Sequence, residues 1–272
     1  MAKMAQVTTL GAHSPKLDAV RALRTRKGRR EQRRYAVEGP TMLAEALAAG
    51  LRPEAVYATA AELEGLPPGA GLDDVTFTVP DRAMERLSDL ETPPGIVAVF
   101  PALLASLEEV LGAGKPAVLL AGIADPGNAG SLLRSAEIFG LSGAVFAAGG
   151  VEPHNPKVVR ATMGAVFRMQ LAVAGADEVL EAAQRHGYTV VAASRDGIAL
   201  PDFRFPERPL IAIGHERRGV TGWLPRYDRS VAIPQRGEGE SLNAAIAGGI
   251  IFYAFSQQFD GKFFEGQTTE KP

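Results

Sequence analysis

Cysteine is absent from the 272-residue chain, which excludes a disulfide framework, thiolate metal sites and a cysteine nucleophile. Histidine is scarce: His13, His154, His186 and His215 have no ligand spacing, so no metal is expected. Long apolar runs are missing too. A stretch such as Ala117 to Leu120 falls far short of the roughly 20 residues that a membrane span needs. Met1 to Leu10 shows no apolar run followed by a small-residue cleavage site, so no secretory signal and no membrane partner are expected, and a cytoplasmic location is the default. The usual nucleotide loops are also lacking. Around Gly114-Lys115, Glu109 stands where a P-loop has its first glycine and Pro116 where it has its hydroxyl, and no G-x-G-x-x-G follows an expected strand. Ser14, Ser131 and Ser194 sit in no nucleophile elbow, which leaves a hydrolase without a constellation.

An apolar share of 46% is ample for a buried core, and the length suits one large domain or two small ones. Net charge is only −2, but its distribution is uneven. Lys16, Arg21, Arg24, Arg26, Lys27, Arg29, Arg30, Arg33 and Arg34 face only Asp18 and Glu31, a local net of +7. Such a run can be a solvated helix face; its nearly single sign favours contact with a polyanion.

Two α/β patterns are visible. In the first, helical spacing runs from Lys16 to Lys27, Tyr35–Val37 is a strand, and Thr41–Ala49 is a helix ended by Gly50. Strands follow at Ala55–Ala58, Val75–Val79 and Ile96–Phe100, with a helix capped by Asp81 before the last. A connecting segment over 102–115 has a helix at Leu103–Leu111. From Pro116, strands at Ala117–Ile123, Ala144–Ala147, Thr189–Ala193, Leu210–Ile213 and Val231–Ile233 alternate with helices. That order predicts an α/β fold with a mostly parallel sheet, whose ligands collect at the carboxyl ends of the strands. The segment from Gly266 is expected to be disordered.

Three segments follow such strands. The first, Ile123 to Gly140, is a Gly/Pro turn and a helix, with Asn128 expected as N-cap and Arg134 on an otherwise apolar helix. Arg134 reads equally as a surface residue or as a phosphate contact. In the second, Ile211 to Val220, Gly214 permits close backbone approach, and Glu216 is either a ligand contact or a partner of Arg217 or Arg218. In the third, Val231 to Asn243, Ser241 is expected to cap a helix with Asn243 in its first turn; small residues (Ala244, Ala245, Ala247, Gly248, Gly249) follow.

Taken together, these segments closely resemble the SpoU/TrmH family of RNA 2′-O-ribose methyltransferases. The first family motif, Asn-x-Gly-x-x-x-Arg-x-x-x-x-x-Gly, is matched by Asn128, Gly130, Arg134 and Gly140; Gly-x-Glu-x-x-Gly by Gly214, Glu216 and Gly219; and Ile-Pro…Ser-Leu-Asn by Ile233, Pro234, Ser241, Leu242 and Asn243. Pro156 to Arg168 resembles the family's linking segment. The likeness covers about Pro116 to Gln258. A weaker one over Lys16 to Phe100 is to the family's N-terminal substrate-binding domain, which tips the basic stripe toward RNA.

The resemblance implies a SPOUT catalytic domain over 116–265 with a deep C-terminal trefoil knot, a small α/β RNA-binding domain over 1–101, a linker over 102–115 and a tail over 266–272. It implies S-adenosylmethionine as methyl donor, held by Ala193, Gly214, Glu216, Ile233, Leu242 and Asn243. Catalysis would fall to Asn128, Arg134, Glu216, Ser241 and Asn243, with Glu216 and Asn243 orienting Arg134 or the ribose. RNA would meet Arg24, Arg26, Lys27, Arg29, Arg30, Arg134, Lys157 and Arg160. The expected assembly is a homodimer, and ribosomal RNA is favoured over tRNA. The rivals are a tRNA 2′-O-methyltransferase, a base-methylating enzyme on the same fold, and a non-catalytic RNA-binding protein.

Overall fold

The computed structural model describes residues 7–67, 71–88, 90–237 and 241–258. The segment from Gly266 therefore lies outside the described residues. The chain divides into two compact units, 1–103 with 154–168, and 104–153 with 169–272. The linking segment thus shares a unit with the N-terminal residues.

The N-terminal residues form β1 (Thr8–Thr9), α1 (Pro15–Ala22), α2 (Arg26–Gln32), β2 (Arg34–Glu38), α3 (Pro40–Ala48), β3 (Ala55–Ala58), β4 (Thr76–Thr78), α4 (Asp81–Leu87) and β5 (Ile96–Pro101). The next stretch supplies α5 (Leu107–Gly112), β6 (Ala117–Ala121), α6 (Pro126–Ile138) and β7 (Gly143–Ala147). The linking segment holds α7 (Pro156–Ala161) and α8 (Ala165–Arg168). The remainder forms β8 (Gln170–Ala174), α9 (Ala176–Arg185), β9 (Thr189–Ala199), β10 (Pro209–Gly214), β11 (Arg229–Ala232) and α10 (Ala244–Gln258).

In the first unit the sheet order is β1-β4-β3-β5-β2, with β5 antiparallel to both its neighbours. Leu17, Val20 and Leu23 pack with Ala83, Met84 and Leu87 over Tyr57, Val97 and Val99. The helix expected over Lys16–Lys27 is two helices. Thr25 takes extended backbone and its hydroxyl accepts the Gly28 N–H at 3.1 Å, starting α2 afresh. Gly28 has no alternative there, because a Cβ would lie 2.0 Å from the Ala22 carbonyl oxygen. Within this unit His154 stacks on Tyr35, with ring centroids 4.2 Å apart.

In the second unit six strands run parallel in the order β11-β9-β10-β6-β7-β8. The central strand β6 is buried throughout, as a strand covered on both faces must be. One face carries α5 and α9, through Val110, Leu111, Val179 and Leu180; α6 and α10 pack together on the other. Gly248 of α10 lies so close to α6 that a Cβ would come within 2.2 Å of Leu132 Cδ2, so part of the small-residue face is spent on packing inside the chain. No helix among the described residues is long and apolar enough to cross a membrane.

Burial, and secondarily the charge of Arg29, lowers the His154 pKa from 6.5 to about 4. The unfolded chain therefore binds a proton between those values that the folded unit refuses. Stability is unaffected above pH 6.5 and falls as pH drops toward 4, by about 3 kcal/mol in all. Denaturant unfolding across this range should show the loss, and His154→Phe should flatten it.

Candidate catalytic site

Strands β6 and β10 lie side by side, and the chain leaves them in opposite directions, from β6 toward β7 and from β10 toward the β9–β11 edge. Their carboxyl ends are thus a topological switch point, where a crevice opens in parallel α/β sheets. The first two motif loops begin there.

Three side chains meet at this edge. The Asn128 amide donates from Nδ2 to Glu216 Oε1 at 2.9 Å, and its Oδ1 accepts from Asn243 Nδ2 at 2.9 Å. One side chain from each motif is therefore tied into a single relay. The caps differ from the sequence expectation, and the difference makes the relay possible. Asp125, not Asn128, caps α6: its Oδ1 accepts the Asn128 N–H at 2.7 Å. Pro126 needs no N–H at the first helical position, so the helix starts there and the Asn128 side chain is released to reach across. Similarly, Asn243 rather than Ser241 caps α10, its Oδ1 accepting the N–H groups of Ala245 and Ile246 at 2.8 and 3.2 Å. Its Nδ2 is left for Asn128.

Glu216 is set by competing effects. Partial burial pushes its carboxyl up, but hydrogen bonds from Asn128 and from the backbone of Glu216 and Asp125, with the nearby His215, hold it below the usual value of about 4.5. It is a carboxylate at neutral pH. The loop that carries it is tight: the Gly219 N–H reaches the His215 carbonyl at 2.8 Å, and Gly219 has φ +64°. Gly214 is required by this loop itself, since a Cβ would stand 2.1 Å from the Gly219 and Val220 backbone. The close approach expected from a ligand is made first by the chain's own backbone.

The other expected residues are placed as follows. Gly214 and Ile233 are half-buried at strand ends, Ala193 is half-buried within β9, and Leu242 is 39% exposed beside Asn243. β9 pairs with β11 in two stretches, and a register shift between Ser230 and Val231 leaves Ala193 at the point where the ladder is interrupted. Backbone groups and modest apolar side chains of this kind suit an adenine-bearing cofactor. Arg134 is exposed on α6 and joined to no described residue by a hydrogen bond or ion pair, so Glu216 and Asn243 hold Asn128 rather than Arg134. Ser241 is exposed.

In the first unit, Arg24, Arg26, Lys27 and Arg30 are exposed, and the basic segment extends through exposed Arg33 at the end of α2. Arg29 departs from the RNA-contact expectation. It is 6% exposed, and its Nη1 donates to the Leu23 and Arg24 carbonyls at 2.9 and 3.1 Å, clasping the α1–α2 turn. Helical spacing alone does not separate it from Arg26 and Arg30, which lie three residues before it and one after; its guanidinium turns back to the carbonyls between α1 and α2 instead of outward. Lys157 is exposed, whereas Arg160 is half-buried against Glu38 at 3.5 Å. Sequence reasoning missed Asp125, although Asp-Pro at the foot of an expected helix is a start signal. It also missed Trp223, the one tryptophan of the chain.

A parallel sheet with an amide–carboxylate relay at its switch point, and no glycine-rich phosphate loop, defines a ligand-binding α/β domain. Residues 115–253 match the SpoU rRNA methylase family, and residues 14–98 match an MRM3-like substrate binding domain. The chain belongs to the SpoU rRNA methylase family. It is 33% identical over 198 residues, 67% of each chain, to the 23S rRNA (uridine(2479)-2′-O)-methyltransferase of Streptomyces viridochromogenes. It is 26% identical over 247 residues, 89% of this chain and 96% of the relative, to the 23S rRNA (guanosine(2553)-2′-O)-methyltransferase RlmP of Bacillus subtilis. The solved structure of the SpoU methyltransferase AviRb from Streptomyces viridochromogenes, in complex with AdoMet, superposes with a TM-score of 0.77 at 26% identity, covering 91% of this chain and 98% of that one.

Asn128→Ala removes a donor to Glu216 while leaving its burial, so the carboxyl should titrate at higher pH. The acid limb of activity should move up, and turnover at neutral pH should fall by about a hundredfold, as a misplaced site requires. A pH–rate profile of wild type and variant checks both.

Proposed function

We propose that the protein transfers a methyl group from S-adenosylmethionine to a ribose 2′-hydroxyl of ribosomal RNA. The observation that carries the reading is the Glu216–Asn128–Asn243 relay, which unites the three motifs at the switch point. Ribosomal RNA is favoured because both relatives above are named for 23S rRNA and because residues 14–98 match a substrate-binding domain. The activity needs no metal in this proposal, and a cytoplasmic setting suits it.

Ala193, Gly214, Ile233, Leu242 and Asn243 would hold the cofactor largely through backbone, on the β9–β11 side of the edge. When bound, S-adenosylmethionine supplies a methyl group on a positively charged sulfur. The protein's part is to place the ribose hydroxyl in line and to let its proton leave. Glu216, kept ionised, orients the ribose, and Asn128 fixes Glu216. Arg134, joined to no described residue, orients the nucleotide phosphate. A guanidinium is a poor base, so the proton passes to phosphate or water. The C-terminal segment, in which β11 lies beyond β9 while α10 returns to pack on α6, would carry the knot. A homodimer fits an exposed apolar stripe on α10, Ile246 at 56% and Tyr253 at 53% with Ile250 between them, beside Ile138 of α6.

Two measurements test this reading. Arg134→Ala should keep S-adenosylmethionine affinity and lose turnover; near-normal turnover refutes the assignment. RNA affinity should fall with salt with a log–log slope of roughly −0.7 per contacted phosphate. Replacing Arg26, Arg30 and Arg33 by Ala should flatten that slope, whereas Arg29→Ala should lower the stability of the first unit instead.

A further inference from the structure

Trp223 is the single tryptophan of the chain, and nothing in the reading above uses it. It follows the second motif, at the end of the short turn Val220–Gly222, with its N–H bonded to the Val220 carbonyl at 3.1 Å. One side of the indole packs on the core under β6 and β10, yet the residue is only half-buried. Gly122, the residue that follows β6, leaves room for it. Gly122 has φ +80°, and a Cβ there would lie 3.3 Å from the Trp223 Cβ and 3.7 Å from its Cγ. The indole Nε1–H points to the Ala148 carbonyl at 3.4 Å, beyond the end of β7. Beside it the edge is open: Ala148 and Gly149 are exposed, and nothing lies within 4 Å of where a Gly149 Cβ would be.

The ring is thus held in place before any ligand arrives, with its polar N–H already directed at protein. What it offers is aromatic surface. The same loop carries Arg217 and Arg218, both exposed and joined by ion pairs to no described residue. A rigid indole next to two cations is the combination that single-stranded RNA requires, an aromatic face for a base and positive charge for the adjoining phosphate. The contacts of the ring point toward the β6–β7 end of the edge. Gly122 and Ala148 follow β6 and β7, whereas, of the residues proposed for S-adenosylmethionine, Ala193 lies in β9 and Ile233 follows β11.

We propose that Trp223 stacks on a base of the RNA substrate, with Arg217 and Arg218 gripping the adjacent phosphate. This rests on the RNA methyltransferase reading and adds to it a specific base contact. It makes Trp223 a positioning residue: the stacked base fixes the strand so that the neighbouring ribose reaches the relay.

The full-length protein carries its own probe, because all indole emission comes from Trp223. Single-stranded RNA oligonucleotides tiled along large-subunit ribosomal RNA are titrated against it, with binding followed independently by anisotropy of a dye on the RNA. S-adenosylhomocysteine alone is the control. The expected result is quenching of indole emission that tracks RNA binding, with little response to S-adenosylhomocysteine. Trp223→Phe, which keeps an aromatic face, should hold RNA affinity within about threefold, whereas Trp223→Ala should lose about tenfold or more. Affinity for S-adenosylmethionine should be unchanged in both, which a merely structural loss would not allow. RNA that binds by anisotropy without altering the emission overturns the platform and leaves the methyltransferase reading intact. Quenching by S-adenosylhomocysteine alone assigns the ring to the cofactor and overturns it equally. Absence of any RNA binding by the wild-type protein overturns both.

Discussion

The Asn128 side chain is donor and acceptor at once, giving a hydrogen to Glu216 and taking one from Asn243. A carboxylate would repel Glu216 and offer it no hydrogen, and a hydroxyl would lack the span between two donors and acceptors. The amide therefore fixes the relative placement of three loops that are far apart in sequence. It does so only because the neighbouring backbone is already satisfied, with Asp125 capping α6 and the Asn243 side-chain Oδ1 capping α10. The ionisation of Glu216 follows from the same contacts, since burial acting alone would raise its pKa.

The sheet explains why these loops meet at all. Inserting β10 between β9 and β6 makes the carboxyl ends of β6 and β10 neighbours while their onward connections diverge. The site is then divided along the edge. Cofactor-holding backbone is proposed on the β9–β11 side, and the groups proposed to face RNA, Arg134 on α6 and Trp223 beside Gly122, on the β6–β7 side. Charge is divided in the first unit as well. Arg29 turns inward to clasp carbonyl oxygens, while Arg26, Arg30 and Arg33 stay exposed.

Strand periodicity and the three strand-end loops were legible in the sequence, because buried parallel strands leave apolar runs and the polar loops that follow them stand out. The motif spacing also brought Asn128, Glu216 and Asn243 forward as a group. What escaped was local competition. Ser241 and Asn128 are both good caps by residue type, but Pro126 and the reach of Asn243 decided otherwise. The basic helix was read as one because its apolar spacing is continuous, and the Thr25 cap that breaks it is a single hydroxyl. Gly214 was correctly marked as a close approach, but whether the approaching group is ligand or backbone depends on a turn five residues long. Trp223 had no signal beyond its rarity, since its place over Gly122 is a tertiary contact across a hundred residues.

The central claim is that this relay serves methyl transfer to a ribose. It is tested most directly by incubating the purified protein with S-adenosylmethionine and ribosomal RNA, digesting the product and resolving the nucleosides by mass spectrometry. The account predicts a single nucleoside heavier by one methyl group on its sugar, with the adjoining phosphodiester resistant to alkali. A methyl group found on a base, or RNA returned unmodified, would contradict it.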